Sequence, residues 1–104
     1  MAKVVIAASA SADVSEIYEY LAIEAGFSTA EKYRQGFAEL YRHLALYPES
    51  CPLRPRIGRQ TLVGVVSPYI VLYRYSPIED AVLIQRVVHG SRRVTGKLLR
   101  KAKP

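Results

Sequence analysis

The stretch Pro68–Tyr75, a polar turn over Ser76–Asp80, and the run Ala81–Val88 constrain the fold of this chain more than any other feature. Both arms are rich in β-branched and aromatic residues, and Ser76, Pro77 and Asp80 punctuate the space between them, which is the local chemistry of a β-hairpin. The second arm runs into His89-Gly90-Ser91-Arg92-Arg93, so the hairpin ends in cations. Gly90 lets the backbone leave the sheet there at a sharp angle. Everything upstream is expected to cover this hairpin.

A chain of 104 residues is one domain with room for one core. Its net charge of +6 is unevenly placed: residues 1–50 carry four Lys or Arg against seven acids, residues 51–104 eleven against two. A basic second half suits an acidic partner, either nucleic acid or an acidic protein segment, and equally suits a solubilising surface. The single cysteine, Cys51, lies in an expected loop, so neither a disulfide framework nor a cysteine metal site can be built, and a cytoplasmic address is the default. No apolar run approaches ~18 residues, and the N-terminus turns polar too soon for a signal sequence, so a soluble protein with no membrane partner is expected. Phosphate loops, Rossmann glycines, His-x-x-x-His pairs and nucleophile elbows are absent from the sequence, and no cofactor or metal is expected.

Lys3–Ala8 reads as a short strand buried on both faces. Ser11 is expected to cap a first helix, with Asp13 in its first turn and Val14, Ile17, Tyr18, Leu21 and Ala25 on one stripe; Gly26 ends it. Asp13, Glu16, Glu19 and Glu24 read as a solvated face without chemistry, since paired carboxylates need a pocket and unequal surroundings to become acid and base. Ser28-Thr29-Ala30-Glu31 matches a capping box, placing a second helix from Thr29, with Tyr33, Phe37, Leu40, Tyr41 and Leu44 inward and Pro48 beyond its end. Gly36 suggests close approach of the first helix, and His43 reads as a surface residue one turn from Glu39. A proline- and arginine-containing loop over 49–59 leads into a strand over Gln60–Val66, interrupted by Gly64. A short basic helix is expected after Ser91. The order is β-α-α-β-β-β, an α+β fold with a helical hairpin packed on a small, mainly antiparallel sheet and a basic C-terminal tail.

Arg74 and Arg86 each sit among apolar neighbours on a strand, where a guanidinium needs a surface face or an anionic partner. Two registers are open. Pairing Ser76 with Ala81 puts Arg74 on the face of Leu83, Gln85 and His89, and a slip by one brings Arg74 and Arg86 together. Tyr69, Tyr73 and Tyr75 share a face under either, and such a stripe suits helix-facing packing better than base stacking. His89 with Arg92 and Arg93 could supply a general base and phosphate-stabilising cations, or form an anion-recognition edge.

Ala12-Asp13 with Ile17-Tyr18-Glu19-Tyr20, Ile57-Gly58-Arg59, Pro68-Tyr69-Ile70-Val71-Leu72-Tyr73-Arg74, and Val87-Val88-His89-Gly90-Ser91-Arg92-Arg93 together resemble the ParE toxins of the ParE/RelE superfamily. The resemblance spans nearly the whole chain. It implies a type II toxin neutralised by a cognate antitoxin whose acidic tail wraps it, and, for ParE members, inhibition of DNA gyrase by binding. RelE-like members instead cut messenger RNA on the ribosome. Those ribonucleases use basic residues in the second strand, an Arg directly after the strand-three Tyr, and a Tyr after the terminal cations. This sequence has Gln60–Val66, Ile70 and no Tyr beyond Tyr75 at those places, which favours the ParE side.

The expected target- or antitoxin-binding residues are therefore Arg59, Tyr69, Tyr73, Arg74, Arg86, His89, Arg92 and Arg93. His89 and Arg92 would be catalytic under the endoribonuclease alternative. A plain nucleic-acid-binding module, driven by the basic tail from Arg92 to Lys103, is a third reading.

Overall fold

Strands β3 (Tyr69–Ser76) and β4 (Ala81–His89) form the expected hairpin and occupy the middle of a four-stranded sheet of order β1-β4-β3-β2. The computed structural model describes residues 1–92 and Leu99; the expected basic helix after Ser91 falls, apart from Ser91, Arg92 and Leu99, outside the described residues. Strand β2 (Leu62–Val66) pairs antiparallel with β3, and β1 (Lys3–Ile6) pairs parallel with β4. Helices α1 (Ala8–Ala25) and α2 (Phe27–Leu46) pack as a hairpin on one face of the sheet.

The core lies between the helices and that face. Phe37 and Leu44 of α2 and Ala10 of α1 meet Val71, Tyr73, Val82, Ile84 and Val87, with Val14, Ile17, Leu21, Tyr33, Leu40 and Tyr41 packed around them. Full burial of a side chain such as Phe37 or Leu44 contributes roughly 1.5–3 kcal/mol. The helical spacing read from the sequence finds Phe37 and Leu44 and the partly buried Val14, Ile17, Leu21, Tyr33, Leu40 and Tyr41, but Ala25 is exposed, and the buried Ala10, Ala30 and Ala45 lie off the stripes.

Several local expectations are corrected. β1 is not buried on both faces: Lys3 and Ile6 are exposed, because β1 is an edge strand and helices cover only one side. α1 begins three residues before Ser11, with Ala7 as its cap residue, since the chain leaves β1 directly into the helix. The capping box does not form. Gly26, at φ +97°, reverses the chain in a single residue and starts α2 at Phe27, so Ser28 is already helical and exposed. Glu31 instead accepts from Tyr18 Oη at 2.9 Å and pairs with Arg34, tying the two helices together. Gly36 faces β2 and not α1: a Cβ there would lie 3.1 Å from Val66 Cγ1. Gly64 does not interrupt β2 but pairs with Val71 inside it, under the Leu40 side chain.

Candidate binding surface

The register resolves in a way that combines both readings. Ser76 pairs with Ala81 and Arg74 with Leu83, but a bulge opposite Leu72 and Tyr73 places Gln85 as an extra residue in β4. Beyond it Leu72 pairs with Arg86 and Tyr69 with His89. The bulge shifts the side-chain alternation by one position. Arg86 thus comes to the side of the sheet that holds Arg74, while His89 moves to the helix side, beside Tyr69, and off the face of Arg74 where the unbulged register would put it.

Two regions carry the expected site residues. The first is a cleft of about 370 Å³ where the end of β4 meets α1, lined by Asp13, Glu16, Tyr20, Tyr69, His89 and Arg92 among others. Its Asp13 is held in an ion pair: Arg86 Nε donates to Asp13 Oδ2 at 2.7 Å and Arg86 Nη2 to Oδ1 at 2.9 Å, with both side chains about seven-eighths buried. The Asp13 carboxylate raises the Arg86 guanidinium above its ordinary pKa. Asp13 Oδ2 also accepts the Val87 amide at 2.9 Å, and Ser9 Oγ donates to the Gln85 carbonyl at 2.9 Å. The first turns of α1 thereby occupy the β4 edge that β1 is too short to reach. Asp13 is a structural anchor, not part of a solvated acidic face.

His89 stacks its ring edge-on against Tyr69, at a centroid distance of 5.7 Å. Tyr69 is itself wedged against Tyr33 and Phe37, and its burial raises its phenol pKa. The Ser91 amide donates to His89 Nδ1 at 3.0 Å. A backbone N–H can only donate, so Nδ1 is the acceptor and the neutral ring carries its proton on Nε2. That arrangement makes His89 a hydrogen-bond donor to whatever enters the cleft and leaves no free lone pair for a general base.

The second region lies by the bulge, on the side of Arg74. A pocket of about 550 Å³ is bounded by the 57–61 loop, Arg74, Gln85 and Leu99. The preceding segment ties the loop and β2 together: Arg54 N–H donates to Thr61 O at 2.7 Å, and Val63 N–H of β2 donates to Pro52 O at 2.9 Å. Arg59 and Arg74 are exposed; Gln85 is 7% exposed.

Of the sequence-derived site residues, Arg59 and Arg74 gather at the bulge pocket, and Tyr69, His89 and Arg92 at the α1 cleft. Arg86 lines neither pocket and is held by Asp13. Tyr73 is fully buried under α2, with its hydroxyl facing Cys51. Arg93 lies outside the described residues. Sequence reasoning missed Asp13 and Gln85. Asp13 meets Arg86 across 73 positions and carries no local signal. Gln85 had one: it is a polar break in the run Val82–Val88.

An apolar strip adds to the surface, since Tyr20, Ile23 and Phe27 are each more than half exposed near the tip of the helical hairpin. No helix among the described residues is long and apolar enough to cross a membrane, and no group of three or more His, Cys, Asp or Glu among them could hold a metal ion.

A two-helix hairpin on one face of a mixed four-stranded sheet makes this a small α+β protein. The model of the ParE toxin family of type II toxin–antitoxin systems matches residues 4–94, and the chain belongs to that family. The fold is similar to that of a solved chain from the chromosomal ParDE toxin–antitoxin system of P. aeruginosa, with a TM-score of 0.72, 20% sequence identity, and coverage of 86% of this chain and 96% of that one. A search of curated protein sequences gave no match.

Proposed function

We propose that this protein arrests growth by binding DNA gyrase, and that a cognate antitoxin with an acidic tail neutralises it by lying across the helical hairpin and the basic end of the sheet. The observation that carries the choice of binding over catalysis is the state of His89: its Nδ1 is occupied by the Ser91 amide, so the residue best suited to proton abstraction is arranged as a donor. The exposed strip of Tyr20, Ile23 and Phe27 supplies apolar anchors for a partner that folds as it binds.

The test is induction of the chain alone, with plasmid supercoiling and messenger integrity followed in the same cells. The expected result is growth arrest and loss of negative supercoiling with intact messages, relieved by co-expression of an acidic partner encoded beside the toxin. Normal growth would refute the toxin reading, and normal supercoiling in arrested cells would refute the gyrase target.

The ribosome-dependent endoribonuclease reading keeps one support, that His89 and Arg92 line a single cleft. It requires cleaved messages that His89→Ala or Arg92→Ala abolishes while antitoxin affinity is nearly unchanged.

A further inference from the structure

We propose that the pocket beside the β4 bulge binds an extended acidic peptide segment, with Arg59 and Arg74 taking its carboxylates and the Gln85 amide pairing with its backbone. This site lies apart from the helical hairpin and the His89 cleft, and it rests on the reading above only for the identity of the partner as an antitoxin.

The bulge is the first support. Bulges re-aim a side chain out of the regular alternation and recur beside functional sites. Here the re-aimed residue is Gln85, which lines the pocket yet is 7% exposed, and its Oε1 is buried without a hydrogen-bond donor. A buried acceptor left unpaired costs about 1–3 kcal/mol. A side-chain amide carries donor and acceptor together and suits a ligand that presents the complementary pair. A peptide unit is such a ligand.

Charge is the second support. Arg59 and Arg74 border the same pocket, and neither forms an ion pair or a side-chain hydrogen bond among the described residues. The nearest acids in sequence to Arg74 are Glu79 and Asp80, and Asp80 already accepts from Tyr75 Oη at 2.7 Å. Two unpaired guanidiniums beside a buried amide favour carboxylate ligands, which each can grip in a fork.

The absence of rings separates peptide from nucleic acid. Single-stranded nucleic acid binds by stacking bases on aromatic side chains. None of the residues lining this pocket is aromatic, and Tyr69 and Tyr73 are buried toward the helices. The rim is firm enough to select a conformation: the Thr61 amide donates to the Gly58 carbonyl, and the Thr61 carbonyl accepts from Arg54.

The test uses the full chain, ¹⁵N-labelled, titrated with an acetylated Glu-Ala repeat peptide of about ten residues, the matching Gln-Ala peptide, and an oligouridylate of similar length. The Glu-Ala peptide is expected to shift the Gln85 side-chain amide and the Arg59, Thr61 and Arg74 signals saturably, with the Gln-Ala peptide at least about tenfold weaker, the loss expected for charge-assisted bonds. Arg74→Gln should weaken binding about tenfold and Gln85→Leu about fivefold. Should Gln85→Leu fail to fold, the exposed pair Arg59→Gln and Arg74→Gln carries the same comparison. Equal binding of the Gln-Ala peptide, shifts confined to the His89 cleft or the helical hairpin, or tighter oligouridylate binding at the same residues would each overturn the proposal. Growth arrest is read separately. A chain that binds the peptide here without arresting growth removes the toxin reading and keeps this site, and an arresting toxin whose pocket ignores the peptide removes this site alone.

Discussion

Asp13 holds three partners with one carboxylate: two guanidinium nitrogens of Arg86 and the Val87 amide. Replacing it strands a mostly buried cation and an edge amide at once. Asp13→Ala is therefore expected to cost about 2–3 kcal/mol, and in the Arg86→Leu background appreciably less, because the cation is then gone. Paired urea denaturation curves measure both, and equal losses in the two backgrounds would show that the pair is not coupled. Tyr41 behaves oppositely. Its hydroxyl is buried with no hydrogen-bond partner, and burial, with the Asp13 charge adding to it, pushes its pKa up to about 12. A raised phenol pKa leaves stability intact below the ordinary tyrosine value near 10 and erodes it as pH climbs from there through 12. Tyr41→Phe is expected to be neutral or stabilising by up to about 1 kcal/mol near neutrality. It should also lose less stability than the parent between about pH 8 and pH 10.5, read as the shift of the urea midpoint. Neither role was visible in the sequence. A carboxylate at a helix start and a tyrosine in an apolar stripe are ordinary in isolation, and only the packing of α1 on β4 distinguishes them.

The elements themselves were more legible. Periodicity of 3.6 in both helices and a run of β-branched and aromatic residues in β3 and β4 identify the buried faces, because burial on one side is what writes those patterns. Boundaries and register were less so. Gly26 reads as a stop, but that it alone joins the helices depends on its positive φ, which overrides the Ser28–Glu31 capping pattern. The bulge at Gln85 leaves no turn signal, yet it decides which side of the sheet Arg86 and His89 occupy. Gly36 offers a test of the helix–sheet contact. Gly36→Ala gains about 1 kcal/mol of helix propensity but presses on Val66, so alone it should be close to neutral. In a Val66→Ala background the same change should stabilise by about 1 kcal/mol over that background. Additive effects in thermal melts would mean that the two residues do not meet.

At the scale of the molecule, charge and architecture are divided along the chain. Residues 51–104 hold eleven of the fifteen Lys and Arg residues and only two of the nine acids, and they build three of the four strands. Long-range attraction to an acidic partner should then govern encounter more than residence. Raising NaCl from about 50 to about 500 mM is expected to slow association with an acidic partner at least tenfold while dissociation changes less. Stopped-flow mixing reads both rates, and a salt-independent association rate would show that this asymmetry does not steer the partner.

The sheet order carries a consequence for how the protein is made. β4 hydrogen-bonds both β1 and β3, and it also receives Ser9 and Asp13 from α1, yet among the described strands it is the last to leave the ribosome. Until residue 81 emerges, β1 has no neighbour and the helices have only the β2–β3 ribbon to cover. A chain synthesised from its N-terminus therefore cannot close its sheet early, and a transcript cut short before β4 yields a protein with no middle. The closed sheet, and any surface that depends on it, exists only once β4 has been made.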